Sequence, residues 1–323
     1  VKKNFFMCKT NCDLNNSKFT LINKGISNIA CTKNIYVDES TSSAVGSSLL
    51  KPKNRLYKKE KINIIYITKI LKKYKKFKYH IIKLDIEGEE INCLKTMHSY
   101  NFINQSLTKD GIYNNIRLKK KTLSYLIKET YKSKLSTTID KRIFKNFKEV
   151  DKYNKKNKKP YCLLNLINPK LTKIAKKISN DDKLINIAEN YLGKINKIDI
   201  RTHWSPVCFA SNNWREYNQQ TVNFHYDVHD INFLYVFFYL TECDKKSGAH
   251  ELIKGSHKNK KIFKHLLRSV KKSRSNLEND FNKSNFFIIK GNTGHGFIED
   301  TSVYHKAHAP KKSPRLCLQI RYS

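Results

Sequence analysis

The stretch FHYDVHD, residues 224–230, places His225, Asp227, His229 and Asp230 immediately ahead of the apolar run INFLYVFFYL. In an extended chain, residues two apart point to the same side. His225 and Asp227 therefore share one face, with Tyr226 and Val228 on the other. An imidazole and a carboxylate on one face provide two ligands of a facial metal site. A second histidine would complete it and leave open positions for substrate and oxygen. That histidine should lie on a later strand, and FIEDTSVYHKAHAP offers both His305 and His308. The other reading of the same seven residues is a solvated turn before a core strand, and His-x-Asp alone does not separate the two.

Such a metal site paired with 2-oxoglutarate also needs a cation for the far carboxylate of that cosubstrate. Arginine matches a carboxylate with a two-pronged fork. Arg315, in SPRLCLQIRYS, follows His305 by ten residues, about one turn and one antiparallel strand further on.

The elements that must hold these groups can be read coarsely. In residues 201–323, short apolar runs alternate with turn signals, the pattern of a β-sandwich or jelly roll. SGAHELIKGSHK and KGNTGHGFIEDTS supply glycines for tight turns. Residues 101–200 read as mostly helical with lysine-rich faces. KKKTLSYLIKETYKSKL has apolar residues at helical spacing, DKYNKKNKKP reads as a hydrophilic linker or loop, and KLINIAENYLGK reads as a helix ending near Gly193. Residues 1–100 alternate between strand-like and helical signals and suit an α/β unit. No internal repeat is visible.

FHYDVHD, FFYLTECDKKSGAHELIKGSHK, GFIEDTSVYHKA and PRLCLQIRYS, in that order, resemble successive motifs of the phytanoyl-CoA dioxygenase family. KDGIYNNIRLKKKTLSYLIKE resembles that family's helical lead-in, so the resemblance covers about 101–323. It implies a double-stranded β-helix, and an Fe(II)- and 2-oxoglutarate-dependent dioxygenase that hydroxylates a small-molecule, lipid or glycan-type metabolite and releases succinate and CO2. It implies that His225, Asp227 and His305 bind iron and that Arg315 anchors 2-oxoglutarate. His308 is the weaker third ligand, and His229 and Asp230 become loop residues. Tyr235, on the following strand, is a further candidate for contact with the cosubstrate. The chain departs from the family at Ala307, where a small hydroxyl residue that helps hold the cosubstrate is common. Relatives that halogenate replace the carboxylate ligand with a small residue, so Asp227 points to hydroxylation.

Other residues have plainer readings. His257 reads as a turn residue or a support for the ligands, and His250 and His295 as surface or packing residues. Trp204 and Trp214 could line a substrate pocket or pack in the core.

In the first hundred residues, IIKLDIEGEEINCLK resembles part of an FkbM-type methyltransferase. LINKGISN, DESTSSAVGSSL and INIIYITKIL fall in the order expected of that family. The copy is partial, with no glycine-rich cofactor turn. S-adenosylmethionine is expected only if a longer parent chain completes the unit. Asp85 and Glu87 could meet a ligand or simply cap the next helix. The expected division is thus an α/β segment over 1–100 and an oxygenase-like domain over 101–323, giving an α+β chain.

The net charge of the 323 residues is +37, which on its own suggests a polyanion partner. The lysines are spread along nearly the whole chain among abundant Asn and Ile, as a coding bias toward A/T-rich codons would produce. Nucleic-acid binding is therefore the lesser expectation, and a small-molecule substrate, anionic if the charge matters, the greater one. The cysteines, at 8, 12, 31, 93, 162, 208, 243 and 317, form no CxxC pair, so neither a zinc site nor a disulfide framework is expected. A reducing, cytoplasmic setting follows. No apolar run approaches the length of a membrane span. The first residue is Val, so a targeting signal could lie outside this sequence.

Overall fold

The computed structural model describes residues 25–27, 32–38, 57–66, 102–228, 233–258 and 271–323. The chain divides into two compact units, Val1–Phe102 and Ile103–Ser323. In the first unit, β1 (Gly25–Ser27) runs parallel to β3 (Tyr57–Tyr66), and β2 (Thr32–Asp38) runs antiparallel to β3 on its other side. The segment YHIIKLDIEGEE, with Asp85 and Glu87, lies outside the described residues, as do His229 and Asp230.

The second unit is an α+β assembly of two antiparallel sheets with helices. Residues 102–110 form helix α1, and β4 (Ile112–Arg117) follows after Gly111. A strand here replaces the helix expected of YNNIR: Ile112 and Ile116 are buried while the polar residues between them are not, and the segment pairs with a later strand across a bulge. Helix α2 (Lys120–Thr130) matches its periodicity. β5 (Lys134–Thr137) and β6 (Ile143–Phe144) then form a short hairpin. Of the hydrophilic stretch read as a linker or loop, residues 151–156 belong to helix α3 (Phe147–Lys156), and residues 157–160 lie outside it. Two features decide this. Asn146 caps it by accepting from the Glu149 amide at 3.0 Å, and Val150 is fully buried on its inner face. The lysines simply cover the outer face.

β7 (Leu164–Ile167) leads to α4 (Pro169–Ser179), capped by Asn168 with proline at the first turn. α5 (Asp182–Leu192) ends at Gly193, as its sequence indicates. The C-terminal part comprises β8 (Ile198–Ser205), α6 (Asn212–Tyr217), β9 (Leu234–Tyr239), β10 (His250–Ile253), α7 (Arg274–Glu278), β11 (Phe286–Ile289), β12 (His295–Glu299), β13 (His305–Ala307) and β14 (Arg315–Tyr322).

The larger sheet has the order β4-β12-β9-β14-β8-β7-β5-β6 and the smaller one β11-β10-β13. Side chains from both meet in one core, with Phe237, Tyr239 and Phe297 from the larger sheet against Leu252 and Ile289 from the smaller. Each such fully buried side chain contributes on the order of 1.5–3 kcal/mol. The central strand β14 pairs with β8 on one side and β9 on the other, bringing Cys317 opposite both His203 and Tyr239. Among the described residues, no helix is long and apolar enough to cross a membrane.

Candidate metal centre

Residues 224–228, the described part of FHYDVHD, do not form a full strand. Phe224 and His225 make isolated bridges instead, to Lys272 and His305. The His225 amide donates to the His305 carbonyl at 3.0 Å and the His305 amide to the His225 carbonyl at 2.8 Å. This reciprocal pair sets the two histidines directly opposite each other, with ring centroids 4.2 Å apart. The Asp227 amide donates to the Thr301 carbonyl at 2.9 Å. The expected alternation holds despite the missing strand. Phe224 and Tyr226 point away from the histidines into a small apolar cluster with Ile253, Leu277 and Tyr304. Val228, on the same side, is exposed.

The side chains of His225, Asp227 and His305 converge, with one potential ligand atom from each within 4.8 Å of the others. Nδ1 of His225 lies 3.2 Å from the Asn223 carbonyl, and Nδ1 of His305 lies 3.0 Å from the Val303 carbonyl. A carbonyl can only accept, so each Nδ1 carries the proton and each Nε2 presents a lone pair. Those lone pairs face Asp227, at 3.8 Å from His225 and 4.0 Å from His305. Burial lowers the pKa of His225 and pushes that of His305 down to about 4, so both rings are neutral near pH 7. Two neutral imidazole lone pairs and a carboxylate, too far apart to hydrogen-bond, form a set of acceptors suited to a cation between them.

The triad opens onto a cavity of about 230 Å³ whose lining also includes Arg201, His203, Tyr235, His250 and Arg315. Arg315 is only 7% exposed. Its Nη1 donates to the Gly248 carbonyl at 2.6 Å, while its Nε is buried with no hydrogen-bond partner. Gly248 has a φ of +91°, and a Cβ there would meet Pro310 at 2.9 Å. The turn before it is closed by Asp244, which accepts from the Ser247 amide at 2.8 Å. Burial pushes the nearby Cys243 and Cys317 thiols up to about 11 and about 12, so neither supplies a counter-charge.

Tyr235 lines the same cavity, stacked on Phe237 at 5.6 Å. It stands on the rung of Arg321, roughly 20 Å along the strands from that of Arg315. His308 is not in the triad. Its Nε2 lies 2.8 Å from a buried Glu251 oxygen, within a cluster that includes Arg274 and Lys306. Trp204 packs edge-on against Phe147 at 4.8 Å, and the Trp214 indole donates to the Pro160 carbonyl at 2.7 Å. Neither lines the triad's cavity.

Several residues of this cavity escape sequence reasoning. His250, read as a surface or packing residue, is buried, stacks on His305 at 5.2 Å and bonds Glu299. Burial pushes His250 down to about 3 and the Glu299 carboxyl up to about 8. Arg201 and His203 were visible only as alternate residues on a strand, and that alternation is the signal that could have found them.

No family model and no curated protein matches the sequence. Similarity to solved structures is found with EvdO2 from Micromonospora carbonacea var. aurantiaca complexed with 2-oxoglutarate, at 12% identity over 68% of this chain and 89% of that one, TM-score 0.43. It is found also with the non-heme monooxygenase ThoJ as its nickel complex, at 12% identity over 68% and 76%, TM-score 0.41. A third is SnoN, a non-heme alpha-ketoglutarate-dependent epimerase from nogalamycin biosynthesis, at 11% identity over 70% and 83%, TM-score 0.41.

Proposed function

We propose that this protein is an Fe(II)- and 2-oxoglutarate-dependent dioxygenase of the phytanoyl-CoA dioxygenase kind, built on a double-stranded β-helix, that hydroxylates a small-molecule, lipid or glycan-type substrate. The observation that supports this best is the pairing, in one cavity, of the His225–Asp227–His305 acceptor set with the buried Arg315 guanidinium. In this reading His225, Asp227 and His305 hold the metal and Arg315 receives the far carboxylate of 2-oxoglutarate. Among the described residues no carboxylate pairs with Arg315, and an unpaired buried cation is costly. An anionic ligand repays that cost.

Bound at the triad, Fe(II) supplies oxygen activation coupled to the decarboxylation of 2-oxoglutarate to succinate. The protein's own groups do the positioning. The Asn223 and Val303 carbonyls hold the two imidazoles in the tautomer that leaves Nε2 free to ligate. The Gly248 carbonyl aims the Arg315 fork. Phe237 and Phe297 give the cavity one apolar wall. Asp227 retains the carboxylate that hydroxylation requires and a halide ligand would displace.

The test is anaerobic loading with Fe(II), followed by exposure to 2-oxoglutarate and oxygen, with succinate measured. Succinate formed by wild type and lost in Asp227→Ala supports the reading. Folded, iron-loaded wild type that forms no succinate across a panel of candidate substrates counts against it.

A further inference from the structure

The cavity holds more unpartnered polar atoms than the triad and Arg315 account for. On β8, Arg201 and His203 both face inward. The Arg201 Nε donates to Asn165 Oδ1, which pins the guanidinium, while its Nη2 is buried and bonds nothing. His203 is 6% exposed and its Nδ1 is also buried without a partner. Burial, with Arg315 and Arg201 on either side, keeps that ring neutral. From the loop after α6, Gln220 enters the same cavity at 2% exposure. Its Oε1 accepts from Arg215 Nη1 at 2.6 Å, which fixes the amide's orientation and leaves Nε2 buried as an unused donor. Its neighbour Gln219, which also lines the cavity, takes a φ of +60°, a costly conformation for a side chain of this size.

Arg201 sits apart from Arg315, with His203 between them. In the sheet register Arg201 pairs with Gln319 and Arg315 pairs with Ser205. The two arginines are thus separated by roughly 13 Å along the strands. The unused atoms of the cavity include two firm donors, the Arg201 Nη2 and the Gln220 Nε2, and next to Arg201 on the same face of β8 is His203, able to give or accept. A buried donor left unmatched costs about 1–3 kcal/mol. Among the described residues, Asp227 is the one carboxylate of the cavity lining, and it belongs to the triad.

We propose that Arg201, with His203 beside it, forms a second anion subsite that binds a carboxylate or phosphate group of the substrate. This rests on the oxygenase reading to the extent that 2-oxoglutarate occupies Arg315. It narrows the substrate to one with a negatively charged group that sits in the cavity while another part faces the triad. The charge that matters is then this pinned guanidinium rather than the dispersed surface lysines.

The test uses ligand-observed saturation-transfer NMR on small probes: acetate, methyl phosphate and neutral N-methylacetamide. Protein loaded with Zn(II) and saturating 2-oxoglutarate is expected to bind acetate or methyl phosphate and not N-methylacetamide. Whichever anion binds more tightly identifies the substrate's group. Arg201→Met should weaken that binding about tenfold or more, with Arg201→Lys recovering part of it. Zinc content and 2-oxoglutarate affinity should be unchanged in both variants. Unchanged anion binding in Arg201→Met, or equal binding of N-methylacetamide, overturns the proposal. So does a loss of 2-oxoglutarate rather than probe affinity, which would give Arg201 to the cosubstrate. If wild type takes up neither zinc nor 2-oxoglutarate, the oxygenase reading fails separately. The metal-free Arg315→Met protein then decides on the subsite: anion binding that disappears on adding Arg201→Met supports it, and no anion binding overturns it.

Discussion

Replacing Arg315 with Met should separate ligand binding from folding. The guanidinium is 7% exposed and spends one donor, Nη1, on the Gly248 carbonyl. Its Nε is buried and unused, so the fork can make two charge-assisted bonds to an incoming carboxylate. Bonds of that kind are each worth about 1.5–3 kcal/mol. Losing the pair should weaken 2-oxoglutarate by at least about 3 kcal/mol, or more than about 100-fold in Kd. The ligand-free protein should respond differently. It loses one hydrogen bond, worth about 1 kcal/mol, and is relieved of an unpaired buried charge, whose replacement by an apolar side chain is often neutral or stabilising. Its unfolding midpoint should therefore hold or rise. The assay is an anaerobic titration of the Fe(II) protein with 2-oxoglutarate, followed by visible absorbance, beside urea unfolding of the metal-free form. Equal 2-oxoglutarate affinity in folded wild type and Arg315→Met would refute the reasoning. A ligand-free protein that collapses on substitution would show instead that Arg315 is structural.

Gly248→Ala should weaken 2-oxoglutarate while leaving metal uptake intact, because an added Cβ meets Pro310 and the His308 carbonyl and displaces the carbonyl that aims Arg315; calorimetric titration with each ligand checks this. Asp227→Ala should lower Fe(II) affinity by at least about 100-fold, read as metal retained after gel filtration. Stability of the metal-free protein should peak near pH 6.5. His305 and His250 have folded pKa values pushed below their ordinary value, to about 4 and about 3. The unfolded chain therefore takes up more protons than the native state once pH drops under about 6.5, and stability falls, by about 2 kcal/mol for His305 at pH 5. Glu299 is raised to about 8, so its contribution is fully present below about 4.5 and is lost as pH rises through 8. Urea midpoints from pH 5 to 8.5 test this, and Glu299→Gln should flatten the alkaline side.

The sequence carried the triad further than it carried the scaffold. His-x-Asp needs only two residues on one face, and that alternation survives in a bridged segment as well as in a strand. His305 and Arg315 were legible through the family motifs that contain them; the strand spacing expected between them is not what the structure shows, since each opens its own strand, β13 and β14, in different sheets joined by residues 308–314. The helical and sheet content of residues 101–200 was less legible. Asn146 and Val150 determine a helix that its lysines conceal, and β4 is set by pairing with β12, nearly 180 residues later, which no local pattern records. His250, Arg201 and His203 were missed for a similar reason: each is ordinary in its own strand, and only the facing of strands makes it part of a cavity.

The most direct measurement is anaerobic mixing of the purified protein with Fe(II) and 2-oxoglutarate, watched for the visible charge-transfer band of chelated cosubstrate, with Asp227→Ala and His305→Ala alongside. The proposed centre predicts a band in wild type that is absent from both variants. Folded wild-type protein that gives no band, or a band that survives in both variants, would contradict a metal held by His225, Asp227 and His305.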